Sequence, residues 1–317
     1  MNTAGQGITV SRWSLLLAVF TLILGVGTAW QLALPDSPDP SNLLRATADC
    51  VGAVVLGLAA VDRLHGSSKA RVDRAELWRA IAALGGVWAL SELALLVYSA
   101  AAAGGYGVGQ LHADEFAEFV SHISTGQVGI ATVLCASGIA LAGIVAFRRR
   151  AEWSTDPLLA VAGLTLVLRQ ITGHMSQQTF GSVLAAVHVL AAALWFGLLA
   201  ALAIMLRSRS DWAAALPRYS TWALRSVVVL TVTGVINAAV RLKGFAPLLD
   251  SGYGRIVLAK AIVLLLILIL AWWWRRTWVD QVAGHRMNAD DSLRRAVVEV
   301  VAITVAFGLA AALATTA

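Results

Sequence analysis

The stretch "GHMSQQTFGSVLAAVHVLAAALWFGLL", residues 173–199, decides the fold. From Gly181 it carries no acidic or basic residue except His188, and it stays apolar to about residue 206. A run of this length crosses a hydrocarbon core about 30 Å thick as a single helix. Two soft or imidazole ligands, His174 and Met175, precede the run, and His188 lies inside it. Similar apolar runs recur along all 317 residues, of which 59% are hydrophobic and 13% charged. Soluble domains carry about 25% charged residues. Backbone polar groups in lipid must be satisfied internally, so the runs are helices or a closed barrel. They are continuous and rich in Leu, Ala and Val rather than alternating, which excludes the barrel. The fold class is all-α: a polytopic membrane helical bundle.

The runs predict about nine transmembrane helices, at roughly 13–34, 44–62, 77–100, 120–147, 157–173, 181–206, 219–240, 254–274 and 292–315. The first is longer than a signal h-region of about 7–15 residues and is expected to be a retained span. Four helices form an N-terminal membrane region, residues 1–156, and five form a second, residues 157–317. Connections alternate in charge. Residues 35–43 and 101–119 hold acids and no Lys or Arg, whereas Arg63, Arg71, Arg74, Arg148, Arg149, Arg150, Arg207, Arg209, Arg275, Arg276, Arg294 and Arg295 cluster in the others. The positive-inside rule then puts the N-terminus in the cytoplasm and the C-terminus outside. The net charge of +6 is thus orientation charge, and nucleic acid is not an expected partner. Trp272, Trp273 and Trp274 beside Arg275 fit an interfacial aromatic belt.

This topology sorts the chemistry-bearing residues. His112, His122, His174 and His188 fall at or near the outer face. Glu118 and His122 are four apart and share a helical face, which Asp114 extends. Imidazole suits copper, zinc, iron and nickel, and thioether sulfur selects cuprous copper. Metal captured at His174 and Met175 could pass inward to His188, roughly 10 Å below the start of its helix. Ionisable residues inside spans are costly and functional by default. Asp49, Glu92, Arg169, Asn237 and Lys260 fall in outer halves of helices, and Arg225 and Glu299 in inner halves. Their signs suggest pairing of Glu92 or Asp49 with Lys260 or Arg169, and of Arg225 with Glu299. Gly197 and Gly234 offer close helix contact. Cys50 and Cys135 form no CxxC and read as small buried hydrophobes. No GxxxxGK[ST] occurs, so the chain is not expected to be an ATP-driven pump or an enzyme.

Residues 157–315 resemble the CopD family, the copper resistance protein D membrane proteins. The resemblance rests on Gly173 and His174 and on "VHVLAAALWFGLL" with His188, Trp195 and Gly197. It continues through "YSTWALRSVVVLTVTGVINA" with Gly234 and Asn237, "SGYGRIVLAK" with Lys260, and "LRRAVVEVV" with Glu299. Met175, Leu198 and the Trp274–Arg275 pair depart from the family pattern. The resemblance implies copper transport across, or copper delivery at, the bacterial inner membrane beside a periplasmic copper-binding partner. Some relatives carry a further membrane domain, which this chain is expected to lack. On this reading His174 and His188, with Met175, form the entry site for Cu(I) or Cu(II). His112, Glu118 and His122 recruit metal, and Asp49, Glu92, Asn237, Lys260, Arg225 and Glu299 line or brace the route. The alternative is a b-type cytochrome or other membrane electron carrier, with His174 and His188 as haem ligands.

Overall fold

The computed structural model describes residues 11–35, 39–65, 72–171, 181–242, 244, 246–284 and 286–316. His174 and Met175 therefore lie outside the described residues. Ten principal helices carry the chain: α1 (Arg12–Ala33), α2 (Ser41–Ala60), α3 (Arg74–Gly104), α4 (Ala113–His122), α5 (Ser124–Arg148), α6 (Asp156–Leu168), α7 (Gly181–Met205), α8 (Arg209–Leu242), α9 (Gly252–Trp274) and α10 (Ala289–Leu313). Among the described residues there is no strand.

Eight of these helices are long and apolar enough to cross a membrane. The expected fifth span, 157–173, is the exception. Its α-helix has 13 residues and ends in a 3-10 turn, Arg169–Ile171. At 1.5 Å per residue the α-helical part measures about 20 Å, short of a 30 Å core. The helical face expected for Asp114, Glu118 and His122 is present in α4, which the sequence does not set off as a separate helix. Its ten residues have acids in the first turn and His122 in the last, so they do not register as an apolar run. Ile123 then takes extended backbone and separates α4 from α5.

Local chemistry sets the helix ends. The Asp73 carboxylate caps α3 by accepting from the amides of Ala75 (2.9 Å) and Glu76 (3.2 Å). Gly105 closes α3 in the left-handed conformation, φ 75°, which glycine adopts without a Cβ penalty. Ser251 caps α9 by accepting from the amide of Gly254 at 3.0 Å.

Helices α2 and α7 form the centre, each with 61% of its apolar stretch buried against 11% for α9. Between them Gly57 and Gly197 meet backbone to backbone. A methyl on Gly57 would strike the Gly197 carbonyl, and one on Gly197 would strike the carbonyl of Ala53. Small residues of this kind let membrane helices approach closely. Around this pair, α3, α5 and α6 pack on one side and α1, α9 and α10 on another, with α8 against α7. The role expected for Gly197 is therefore met. Gly234 plays another part: a Cβ there would touch only the His188 ring, at 3.6 Å, so it makes room for a side chain rather than for a helix.

Candidate functional site

Three polar stations are set into the bundle, and each is built by helices distant in sequence. The first surrounds His188. Its Nδ1 lies 2.7 Å from the Thr233 hydroxyl of α8. That hydroxyl has one hydrogen, which it donates to the Val229 carbonyl one turn back, at 2.7 Å. The hydrogen-bond network therefore assigns Thr233 Oγ1 as acceptor and His188 Nδ1 as donor. The remaining ring nitrogen, Nε2, carries the lone pair that a metal needs. Asn237 stands four residues beyond Thr233 on the same face of α8, and its buried amide oxygen has no hydrogen-bond partner among the described residues. An imidazole lone pair and an unsatisfied carbonyl oxygen thus share one side of α8. Lys260 of α9 lies within electrostatic range of the same imidazole.

The second station is an ion-pair cluster. Arg169, in the 3-10 turn after α6, donates to Asp49 of α2 at 2.8 Å and to Glu92 of α3. Trp88, one turn before Glu92, donates its indole N–H to the same carboxylate at 3.0 Å. Gly52 gives the Trp88 ring its place, since a methyl there would sit 2.7 Å from it. The Glu92 side chain is 5% exposed. A carboxylate so buried is kept only when paired and hydrogen-bonded, and here both conditions hold. The expected choice between Arg169 and Lys260 as partner thus resolves to Arg169, which gathers both acids.

The third station corrects the sequence reading. Glu299 of α10 does not pair with Arg225. It faces the Tyr219 hydroxyl of α8 and the Trp195 indole of α7. Arg225 instead lies 5.6 Å from the ring of Trp222, on the outside of α8. The reason is helical phase. Tyr219, Ser226 and Thr233 recur every seven residues and are buried, whereas Arg225 sits one residue off that stripe. Trp195 is seven residues beyond His188, so α7 presents both to the same side, about 10 Å apart along its axis.

His112, Glu118 and His122 belong to α4, which packs on α3 and α5. They are exposed and stand apart from His188. His112 caps α4: its amide donates to the Glu115 carboxylate at 2.9 Å, and this bond holds the Glu115 carboxyl below the usual carboxylate range. Among the described residues no three His, Cys, Asp or Glu side chains gather closely enough to hold a metal ion. The sequence reading missed Thr233, Trp88 and Tyr219. None carries a charge, and only the i+4 step from Thr233 to Asn237 hinted at a shared polar face.

Part of this arrangement lies in a region that known proteins resemble. Residues 213–313 match the family described as CopD: Copper resistance protein D. That region contains Thr233, Asn237, Lys260 and Glu299, while His188 lies just before it. The chain is also 29% identical over 118 residues to the "Copper transport protein CutJ" of Bacillus subtilis (strain 168). The match covers 34% of this chain and 21% of that protein, so the chain spans about a fifth of the length of this curated relative. No solved structure matches. Through α8 to α10, the chain is thus similar to the CopD family.

Proposed function

We propose that this protein moves copper across, or delivers it at, the bacterial inner membrane, and that His188 is the ligand inside the bundle. The observation that carries this reading is the 2.7 Å hydrogen bond between His188 Nδ1 and the Thr233 hydroxyl, read with Nδ1–H as donor because that hydroxyl donates to Val229. It fixes ring orientation and tautomer, as the partner of a metal-binding histidine does. Asn237 adds a carbonyl oxygen on the same face. The copper named in the CopD family and in CutJ supplies the metal class. Under the positive-inside rule the start of α7 faces the extracytoplasmic side, so His188 sits in the outer half of the membrane. His174 and Met175 are proposed on sequence grounds as the capture residues above it, with a periplasmic copper protein as donor or acceptor. The exposed α4 residues His112, Glu118 and His122 would raise local metal concentration. Asp49, Glu92 and Arg169 brace the outer half, and Glu299 marks the inner end of the polar face.

The test is metal analysis of the purified protein with and without His188→Ala, followed by copper uptake into proteoliposomes. Loss of bound copper in the variant is expected. Unchanged stoichiometry would remove His188 from the site. Uptake distinguishes a permease from a protein that only hands copper to a partner. The haem alternative is checked by a visible spectrum: a Soret band would favour it. Among the described residues, His188 is the one histidine inside a spanning helix, so they do not assemble a bis-histidine haem site.

A further inference from the structure

A cavity of about 510 Å³ opens at the arginine-rich end of the bundle, between the end of α9 and the first turns of α10. Arg286, Arg294 and Arg295 line it, with Asp291 as the one acid, Trp274 as an aromatic wall and Val298 at its far side. None of the three guanidinium groups makes an ion pair or a side-chain hydrogen bond among the described residues. Arg295 Nη1 is buried and has no hydrogen-bond partner among the described residues. A buried, charged donor left unsatisfied costs more than a lost neutral hydrogen bond, so an anionic acceptor bound in this cavity would be favoured.

We infer that this cavity binds a phosphate group. Three arginines against one aspartate leave a cationic lining, and the planar guanidinium fork suits phosphate oxygens. Two further features favour a phosphate carried by an acidic phospholipid. Val298, 45% exposed, sits two turns into α10 and faces outward where an acyl chain would run. Trp272 and Trp273, 58% and 63% exposed, mark the membrane interface at the same level. Basic pockets between spanning helices are known binding places for acidic headgroups. This site is independent of the copper reading.

The experiment is native mass spectrometry of the full-length purified protein offered phosphatidylglycerol, phosphatidylcholine or inorganic phosphate. Wild-type protein should retain phosphatidylglycerol over phosphatidylcholine. Arg286→Gln, Arg294→Gln and Arg295→Gln should each weaken retention about fivefold. Arg276→Gln removes the same charge outside the cavity, from a guanidinium stacked 4.1 Å from the Trp272 ring, and should leave retention unchanged. Arg294→Lys and Arg295→Lys keep the charge and lose the fork. They should fall between wild type and the glutamine variants, and they serve if a glutamine variant does not fold. Displacement of the lipid by millimolar inorganic phosphate, lost in Arg295→Gln, would keep the site and reassign its source to a solute. Equal retention by wild type and all cavity variants, or an equal loss in Arg276→Gln, would overturn the inference.

Discussion

At the scale of single residues, the tautomer of His188 matters most. Replacing Thr233 with Val keeps the shape and removes the acceptor of the Nδ1 proton. Removing the partner that orients a ligating histidine typically costs 10–100-fold in metal affinity. Thr233→Val is therefore expected to weaken copper binding by about that factor, read by competition with a chromogenic chelator, while His188→Ala abolishes it. If His188 binds copper as proposed, Lys260 should act in the opposite sense, because a cation near the ring repels an incoming metal ion. Lys260→Gln should tighten copper binding several-fold, and a weaker site in that variant would show that the amine ligates or steers the metal instead. His188 and Lys260 were legible from sequence because ionisable groups stand out in apolar runs. Thr233 was not, since a threonine that bonds back to its own helix is ordinary in a membrane span.

The elements show where sequence patterns stop. Length and hydropathy placed eight spans, because a bilayer imposes one length on all of them. They extended α6 past Leu168, where the described chain turns into a 3-10 turn at Arg169–Ile171, and gave α4 a helical face without setting it off as a helix of its own. The Glu115 carboxyl accepts the His112 amide at the start of α4. Its titration is depressed in the folded state, so the stabilisation is full above the unfolded carboxylate range and disappears as pH falls through the lower folded value. Amide exchange at the start of α4 should accelerate on acidification, and Glu115→Gln should blunt that dependence. Between elements, Arg169 joins α2 and α3 to the end of α6. Arg169→Met would leave the buried Glu92 and the partly exposed Asp49 without their paired guanidinium, with Arg45 as the remaining cation nearby, at a cost of up to about 3–5 kcal/mol. Thermal unfolding in detergent should register it as a large fall in midpoint. Gly197→Ala should also destabilise, by roughly 1–3 kcal/mol, because the added methyl meets the Ala53 carbonyl of α2.

Across the whole molecule, the polar stations follow from how the helices are dealt around α2 and α7. Sequence signs suggested which charges attract, but not which helices adjoin. Glu92 finds Arg169 rather than Lys260 because α3 lies against α2 and α2 against α6. Glu299 finds Tyr219 rather than Arg225 because of the phase of α8. The CopD match begins within α8, at residue 213, whereas His188 lies before it on α7, which in turn rests on α2.

One pairing bears on how the protein is made. Helix α1 packs along α10, where Gly25 and Gly308 bring the two backbones together and the hydroxyls of Thr21 and Thr304 bond at 2.6 Å. At a synthesis rate of about 5–20 residues per second, α1 waits roughly 15–60 s in the bilayer before its neighbour emerges from the ribosome. Until then its small-residue face lacks the α10 backbone it packs against, and this pairing forms only once α10 has been made.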